Sequence, residues 1–401
     1  MSEPTDSPSA RPSTDWRTWS AVGAMALCVA MLISSEFMPV SLLTPMAADL
    51  ATSEGVTGQA VSISGLFAVL TSLLITPLAG RFDRRTVLVG LAVVMLASLV
   101  LIALAPTIAV LMTARALLGI TIGGFWALAT AVVMRLVPAD QVARALGVVY
   151  TGNAFATAFA APIGSFLGGL IGWRGVFWAL VPLALINLAW LWLALPHLPS
   201  SADRRSVGDV LGLLARRNVA FAMLGVMLTF GGAFCTFTYM RPFLETYGSV
   251  DVNQLSLLLL GLGIAGFPGT YGTSALANRY LYRLLWLLPL LLSGMTLILL
   301  GVGHVLWATG LALIVWGGLN AAIPVAWSTW LSQGISDEPE SGGGLLVAAI
   351  QASIMTGGAL GGALLDHLSI AATLIGGAGL LVCAVGVTGR ASRLQPPTKA
   401  G

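Results

Sequence analysis

One carboxylate lies inside an otherwise apolar stretch near the start of the chain. Glu36 occurs in Ser34-Ser-Glu-Phe-Met-Pro-Val40, six residues before the end of a predicted helix at 21–42. A charge inside a membrane-spanning helix costs at least about 2.5 kcal/mol and marks an ion or substrate path. Pro39 has no N–H for the carbonyl of Ser35, so we expect a kinked, hydrated helix beside Glu36. Glu36 could therefore carry a proton, although a purely structural ion pair, or a helix displaced toward the water, would give the same pattern.

Arg115 is the matching charge, in a predicted helix at 108–134. At about 1.5 Å per residue, Glu36 lies about 9 Å and Arg115 about 10 Å from the end of its helix, so the two could share one level. Gly119 and Gly123 follow on the same helical face and leave room for a neighbouring helix. If Glu36 faces Arg115, gain and loss of a proton would break and restore the pair. Both residues are therefore candidates for proton coupling.

Polar and aromatic side chains in the middle of other apolar segments form a candidate substrate-binding surface. Amides can hydrogen-bond to the edge of a planar base, and aromatic rings can stack on its face. Each aromatic residue could instead be a packing residue, whereas an amide in hydrocarbon needs a partner. Arg241, before Pro242, could anchor its helix at the membrane surface or contact the substrate. The candidate lining residues are Phe125, Trp126, Asn153, Phe234, Thr236, Tyr239, Asn320, Trp327 and Gln351.

Particular residues, or their absence, argue against ATP hydrolysis, metal binding and enzymatic catalysis. Lys399 is the single lysine, so the chain has no phosphate-binding glycine-rich loop that ends in Gly-Lys, which excludes ATP hydrolysis. The three histidines lie near predicted helix ends without ligand spacing, and the three cysteines fall in separate apolar segments. We therefore expect no catalytic residue, no metal and no cofactor, and a protein that is not an enzyme.

The composition places these residues in a membrane. Of the 401 residues, 57% are hydrophobic and 9% are charged, whereas soluble domains carry about 25% charged residues. A helix needs about 20 apolar residues to cross a bilayer. The sequence predicts twelve such helices, near 21–42, 57–80, 87–105, 108–134, 145–167, 175–195, 219–243, 253–276, 284–303, 306–331, 342–365 and 369–389.

The longest polar stretch of the interior divides these helices into two sets of six. Gly80-Arg-Phe-Asp-Arg-Arg85 after the second helix and Asn278-Arg-Tyr-Leu-Tyr-Arg283 after the eighth indicate a weak internal repeat. Such a duplication predicts two bundles with a binding site between them near the membrane midplane. The predicted divisions are a tail at 1–20, a six-helix bundle at 21–195, a linker at 196–218, a second six-helix bundle at 219–389 and a tail at 390–401.

The basic residues predict the orientation of the chain. Of the 19 Lys and Arg residues, all but Arg115, Arg174 and Arg241 fall on one side of the predicted membrane. Short cytoplasmic loops retain Lys and Arg, and an even number of crossings returns the chain to its starting side. Both termini are therefore expected in the cytoplasm. The net charge of +3 reflects this topology and gives no support for binding to nucleic acid.

Three of these segments resemble motifs of the major facilitator superfamily. The loop Gly80-Arg-Phe-Asp-Arg-Arg85 resembles its basic loop, and Arg115-Ala-Leu-Leu-Gly119 resembles its fourth-helix arginine motif. Ala161-Pro-Ile-Gly164 with Leu167-Gly-Gly169 resembles the fifth-helix motif of its antiporters, although Asp83 and Ala161 stand where glycine is usual. The resemblance implies an all-α membrane protein with the major facilitator fold, 12 transmembrane helices in two six-helix bundles. It also implies gating roles for Arg81, Asp83, Arg84, Arg85, Pro162 and Gly164.

A narrower resemblance covers nearly the whole chain. Segments such as Glu36-Phe-Met-Pro-Val-Ser-Leu-Leu-Thr-Pro-Met46, Gly123-Gly-Phe-Trp-Ala127 and Phe237-Thr-Tyr-Met-Arg-Pro242 are similar to bacterial purine ribonucleoside efflux pumps, in the drug–proton antiporter branch. This implies a monomer in the lipid bilayer of the bacterial inner membrane that exports inosine, guanosine and related compounds, driven by the proton gradient.

Two alternatives to purine export stay open. Relatives in the same branch export sugars or drugs, so another small molecule could be the substrate. A membrane sensor or scaffold that transports nothing is a further alternative. The longest interior loop has about 23 residues, which is too short for a soluble output domain.

Overall fold

The computed structural model describes residues 16–79, 82–138, 141–199, 207–335 and 338–395, and regular structure in these ranges is helical. Two short 3₁₀ turns, at Leu213–Ala215 and Ala391–Arg393, accompany the α-helices. The α-helices are α1 (Trp16–Asp49), α2 (Glu54–Ala79), α3 (Arg84–Leu104), α4 (Ile108–Leu136), α5 (Val142–Ala194), α6 (Val207–Gly212), α7 (Arg217–Phe237), α8 (Met240–Gly248), α9 (Val252–Ile264), α10 (Gly266–Val302), α11 (Leu306–Gly334), α12 (Pro339–His367) and α13 (Ile370–Thr388).

The number of membrane crossings depends on breaks in two long helices, at Tyr280 in α10 and at Gly172 in α5. The break at Tyr280 leaves α9 with the first part of α10 as one crossing, at 252–277, and the rest of α10 as the next, at 279–302. Within the described residues, 11 helical segments are long and apolar enough to cross a bilayer. Helix α5 has 53 residues, which is about 80 Å and more than twice the thickness of the hydrocarbon core. Gly172, with φ +74°, adopts a backbone conformation that other residues rarely take and divides α5 into 142–171 and 173–194. With the two parts counted separately, the twelve predicted crossings and the predicted fold class are confirmed.

The helix bounds differ from the predicted ones where proline removes a hydrogen-bond donor. The predicted helix 219–243 is instead two helices, α7 and α8, separated at Thr238 and Tyr239. Pro242 cannot donate to the carbonyl of Thr238, so the break precedes it. The predicted helix 253–276 likewise divides where α9 ends at Ile264, four residues before Pro268. Helix α1 begins at Trp16, so the last five residues of the predicted tail are helical.

The helices pack as two bundles, each with its own apolar core. The first bundle comprises α1 to α5 and the second comprises α7 to α13. Glycines bring helices together within each bundle. A Cβ on Gly119 would lie 2.2 Å from the carbonyl oxygen of Ser64 in α2, and one on Gly123 would lie 2.1 Å from that of Ala68. This close approach fixes the position of α4, and therefore of Arg115, against α2.

The two bundles meet mainly through α2 with α12, α5 with α9, and α1 with α8. We call the side on which the described part of the chain begins, at Trp16, and ends, at Gln395, the terminal side, and the opposite side the far side. Gly169 of α5 packs on Val252 at the far side, and Gly263 packs on Ala158 at mid-height. Five side-chain hydrogen bonds join the bundles between the level of Gln59 and the far side. The bundles are therefore closed together on that side.

Toward the terminal side the same helix faces separate. Phe155 and Thr151 continue the face of Ala158 along α5, yet Phe155 is 56% exposed. On the other bundle, Phe267 and Tyr271 continue the face of Gly263, and Tyr271 is 79% exposed. On the terminal side, α5 and α10 are therefore less closely packed against each other than α5 and α9 are at mid-height and on the far side.

Candidate functional site

Arg115 is the centre of the polar contacts inside the first bundle. Its side chain is fully buried, and α4 places it against both α1 and α2. The guanidinium donates to the carbonyl oxygens of Ser35 at 2.7 Å and Ala60 at 2.9 Å, and to Ser64 Oγ at 3.1 Å. A longer contact of 3.4 Å reaches the main-chain oxygen of Glu36. Arg115 therefore holds three helices of one bundle together.

Pro39 explains why Arg115 finds an acceptor in the middle of α1. A proline at this position has no N–H, so the carbonyl of Ser35 lacks its usual donor four residues later. The Arg115 Nη1 atom donates to that oxygen instead. The guanidinium thus supplies the donor that the proline removes, and the predicted hydration of the helix at this point stays a prediction. Pro39 and Arg115 thus form one structural unit.

The Glu36 carboxylate lies at the same level but is not bound by the guanidinium. Glu36 is 2% exposed, and its Oε1 atom has no hydrogen-bond partner among the described residues. No described ion pair joins it to Arg115, although the two charges are close enough to interact. A buried acceptor without a partner is unusual and calls for a proton, a solute or a movement that supplies one. Among the described residues at this level, Glu36 is the carboxylate with a buried oxygen that has no hydrogen-bond partner.

An aromatic cluster crosses from one bundle to the other beside Glu36. The ring of Phe37 in α1 lies 5.9 Å from that of Phe234 and 5.7 Å from that of Phe237, both in α7. Phe237 in turn stacks on Trp316 of α11 at 6.1 Å. Sequence reasoning selected Phe234 but missed Phe37, Phe237 and Trp316. The adjacency of Phe37 to Glu36 was the available signal.

Gln351 is the predicted lining residue that lies closest to this level on α12. Its main-chain oxygen would lie 3.0 Å from a Cβ on Gly65, the residue that follows Ser64 in α2. The Gln351 Oε1 atom is buried and has no described hydrogen-bond partner. An amide oxygen and a carboxylate oxygen, one from each bundle, therefore lack partners near the level at which Arg115 binds.

Three other predicted lining residues fill the interiors of their own bundles. Phe125 is fully buried in the first core, and Trp327 is packed on Gly225 and Trp330 in the second. The hydroxyl of Thr236 points at Gly377 of α13 and not toward the first bundle. For these residues the structure corrects the predicted placement, because a sequence does not tell which face of a membrane helix an aromatic side chain occupies.

The remaining predicted lining residues lie elsewhere along the interface. Trp126 is partly exposed, with its ring 5.4 Å from that of Tyr150, and it lies 11 residues or about 16 Å nearer the terminal side than Arg115. Asn153 and Asn320 are also partly exposed. No described hydrogen bond or ring contact joins these three residues to Glu36.

Tyr239 separates the aromatic cluster from the far side. Its hydroxyl donates to the carbonyl of Gly358 at 2.8 Å, and its fully buried ring lies in a slot formed by glycines of α2 and α12. A Cβ on Gly58 or Gly362 would lie within 2.5 Å of the Tyr239 hydroxyl. The ring therefore fills the space between α2 and α12 at this height, and the predicted contact of Tyr239 with substrate stays a prediction.

The predicted gating residues of the α2–α3 loop bind within the first bundle. Asp83 caps α3 by accepting from the Arg85 N–H at 2.8 Å, and it also accepts from the Leu198 N–H at 2.9 Å. The Arg84 N–H donates to the Leu198 carbonyl at 2.9 Å, and the Arg85 side chain donates to the carbonyl of Trp192. Arg81 lies outside the described residues. These contacts tie the loop to the end of α5.

Asp83 lies outside the membrane, and its surroundings favour the ionised form. Partial burial alone would raise the pKa of Asp83, but hydrogen bonds from the N–H groups of Arg85 and Leu198, and from His197, hold that pKa below its usual value. The ionised carboxylate is thus the form that stabilises this loop.

Pro162 and Gly164 lie where α5 meets other helices. Pro162 leaves the carbonyl of Ala158 without a helix donor, and a Cβ on Gly263 of α9 would lie 2.1 Å from that oxygen. A Cβ on Gly164 would lie 2.8 Å from Ser41 Oγ in α1. Both residues therefore permit close packing at a helix junction, and Pro162 does so between the bundles.

Comparison with known proteins gives a consistent family. A model of the Major Facilitator Superfamily matches residues 25–343. The transcription regulatory protein OpdE of Pseudomonas aeruginosa is 45% identical over 383 residues, 95% of each chain. The purine ribonucleoside efflux pump NepI of Salmonella paratyphi B is 40% identical over 378 residues, 94% of this chain and 95% of its own length.

Among solved structures, an inward-facing, unoccupied bacterial homologue of the human lysosomal transporter Spinster superposes with a TM-score of 0.77. It is 16% identical, and the match covers 95% of this chain and 98% of the homologue. At this identity the likeness concerns the fold alone.

Proposed function

The chain belongs to the major facilitator superfamily, and we propose that it exports purine ribonucleosides from the cytoplasm in exchange for protons. Membership of this family makes it a membrane transporter and not an enzyme. The proposed substrate class is supported by the 40% identity to a purine ribonucleoside efflux pump over nearly the whole chain. The observation that carries the coupling proposal is the buried, unpartnered Glu36 carboxylate at the junction of the two bundles.

Glu36 is the proposed proton carrier because its charge is poorly compensated in the closed interface. Arg115 binds main-chain oxygens of α1 and α2, so it fixes the helix and leaves the carboxylate without a hydrogen bond. A proton, or a donor group of the substrate, would satisfy the carboxylate in turn. Since both use the same acceptor, their alternation would couple export to proton entry. Arg115 then acts as a positioning residue for Glu36.

The proposed substrate would bind next to the aromatic cluster of Phe37, Phe234 and Phe237. A purine ring could stack against these phenyl rings, and the free amide of Gln351 could read the ring edge. Neither contact is specific to purines, so a sugar or a drug is the alternative substrate.

The proposed orientation has both termini in the cytoplasm of a bacterium and the protein in the inner membrane, as a monomer. With that orientation, the terminal side is cytoplasmic and the present conformation is inward-facing. The basic residues support this orientation, because they concentrate in loops on the terminal side. Substrate would enter from the cytoplasm between α5 and α10, and release would require the far side to open.

Everted membrane vesicles test this function directly. With labelled inosine outside and an imposed proton gradient, acid inside, we expect accumulation by the wild-type chain and none in vesicles without it. Collapse of the gradient with a protonophore should abolish the accumulation. If a sugar or drug accumulates while inosine does not, the proposed substrate is wrong and the proposed exchange for protons is retained. Inosine accumulation that is insensitive to the protonophore would contradict proton exchange.

A second function, regulation of gene expression from the membrane, is favoured by one observation. The relative that is 45% identical is named a transcription regulatory protein. A regulator that senses a solute and a transporter that depletes it could both alter expression. Transcript profiles of a deletion strain complemented with wild type or with Glu36→Gln would distinguish them. Full restoration of the profile by Glu36→Gln, with no export, would favour regulation independent of transport.

A further inference from the structure

A second proline of α1 leaves a second carbonyl without its helix donor. Pro45 lies four residues after Ser41, so the Ser41 oxygen has no N–H from its own helix. The Arg241 Nη1 atom, from α8 of the other bundle, donates to this oxygen. Arg241 is buried, and the contact joins residues 200 positions apart in the chain.

A carboxylate completes a second bridge at the same place. Glu245, one turn after Arg241 in α8, accepts from Arg241 Nε at 2.8 Å and from Thr44 Oγ1 at 2.5 Å. Helix α1 therefore contributes an acceptor, the Ser41 oxygen, and a donor, the Thr44 hydroxyl. Helix α8 contributes the matching donor, Arg241, and the matching acceptor, Glu245. The charge-assisted character of both bonds makes them stronger than bonds between neutral groups.

The charges around this contact give Arg241 a further role. Three carboxylates, Glu54 of α2, Glu245 of α8 and Asp366 of α12, lie close enough to interact electrostatically, and Arg241 is the cation among them. Asp366 accepts from Ser53 Oγ at 2.6 Å and from the Gly55 N–H at 3.1 Å, which ties α12 to the start of α2. Without Arg241, like charges would face one another across the two bundles.

We propose that Ser41, Thr44, Arg241 and Glu245 form a far-side latch, which holds the bundles together and must open before substrate can leave on that side. Pro45 is part of this latch because it reserves the Ser41 oxygen for Arg241. The inference rests on the proposed transport by alternating access, but it concerns residues distinct from Glu36 and needs no known substrate.

The position of the latch makes it reversible. The Glu245 side chain is 28% exposed, so water reaches the rim of the contact. When the bundles part, water can take over the hydrogen bonds of the Ser41 oxygen, the guanidinium and the carboxylate. Opening would therefore exchange protein contacts for hydration and would not strand buried polar groups.

Distance measurements on the full chain in nanodiscs test the latch. Thr107 and Leu306 lie at far-side ends of the two bundles, and both are accessible to a spin label after replacement by cysteine. Cys383 is the exposed native cysteine, so it is replaced by serine, while Cys28 and Cys235 are buried. In Arg241→Gln we expect the ratio of wide to narrow far-side distances to rise about tenfold.

Arg174 supplies a matched control for this experiment. It is also an arginine on the far side, and it pairs with Asp49 inside the first bundle. Arg174→Gln should leave the distance distribution at its wild-type form. Widening in Arg241→Gln alone supports the latch, whereas unchanged distances in Arg241→Gln, or equal widening in both variants, would overturn it. Should Arg241→Gln fail to fold, Glu245→Gln replaces it, with the same two outcomes.

The inosine assay in vesicles separates this inference from the proposed function. If the far-side distance widens in Arg241→Gln but the wild type transports no inosine, the latch is supported and the proposed substrate is wrong. If the wild type transports inosine but the distance in Arg241→Gln does not widen, the proposed substrate is supported and the latch is wrong.

Discussion

Two arginine contacts on α1 use the same chemistry in different places. Arg115 and Arg241 each donate to a carbonyl that a proline four residues later has left free, at Ser35 and Ser41. Arg115 belongs to the same bundle as α1 and is fully buried, whereas Arg241 comes from the other bundle and has a partly exposed carboxylate partner. The proposed latch rests on this difference: the Arg115 contact stays in place because water is excluded from it, whereas the Arg241 contact can open because water can replace it.

Replacement of Arg115 should give the largest effect. In Arg115→Leu the oxygens of Ser35 and Ala60 lose a buried donor, and the Glu36 charge loses its nearby cation. We expect a loss of about 3 kcal/mol of folding free energy or more, read as a marked drop in the thermal unfolding temperature in detergent. Arg115→Lys should recover only part of the lost stability. It keeps the positive charge, but an ammonium lacks the planar guanidinium fork that reaches three acceptors. Wild-type stability in Arg115→Leu would contradict the structural role.

The two prolines allow a sharper test of the same comparison. An alanine at position 45 restores an N–H that competes with Arg241 for the Ser41 oxygen, so Pro45→Ala should widen the Thr107–Leu306 distance in part of the molecules. Pro39→Ala creates the same competition inside one bundle, and we expect no change in that distance. The spin-label measurement described for the latch checks both variants. Equal widening in the two would remove the distinction between the permanent and the releasable contact.

Asp83 should give the smallest effect, because its contacts lie within one bundle and near water. The pKa of Asp83 is lowered from about 3.8, so its contribution to stability is complete above that pH and is lost as the pH falls through the lower, folded value. Asp83→Asn should therefore lower the unfolding temperature by a few degrees at pH 7, and this difference should shrink progressively as the pH falls below about 3.8. A difference that persists undiminished at low pH would rule out the ionised carboxylate as its cause.

The fold could be predicted from the sequence because lipid imposes simple rules. Apolar segments of about 20 residues specify the number of crossings, whereas the orientation that the arginine-containing loops indicate stays a prediction. The bounds of individual helices were less accurate wherever a proline removed a donor, as at Pro242 and Pro268. The single long helix α5 shows the same limit, since the break at Gly172 depends on a backbone angle that apolar character does not encode.

The candidate site could be predicted in part. The type and depth of Glu36 and Arg115 sufficed to suggest one level, and the structure brings them to neighbouring positions. The predicted placement of Phe125 and Trp327 was wrong. Aromatic residues of membrane helices can face the bundle core, the lipid or a cavity, and the surrounding sequence is equally apolar in all three cases. The contact of Arg241 with Ser41 was missed because it depends on how the bundles meet, although Pro45 repeats the signal that Pro39 gave.

Proton movement driven by the solute tests the central proposal most directly. Purified chain is reconstituted in liposomes that contain a pH-sensitive dye, and an inosine gradient is imposed without a pH gradient. We predict proton flow opposite to inosine flow in the wild type and none in Glu36→Gln, which should stay folded because the Glu36 Oε1 atom has no hydrogen bond to lose. Proton flow at the wild-type rate in Glu36→Gln would contradict the account.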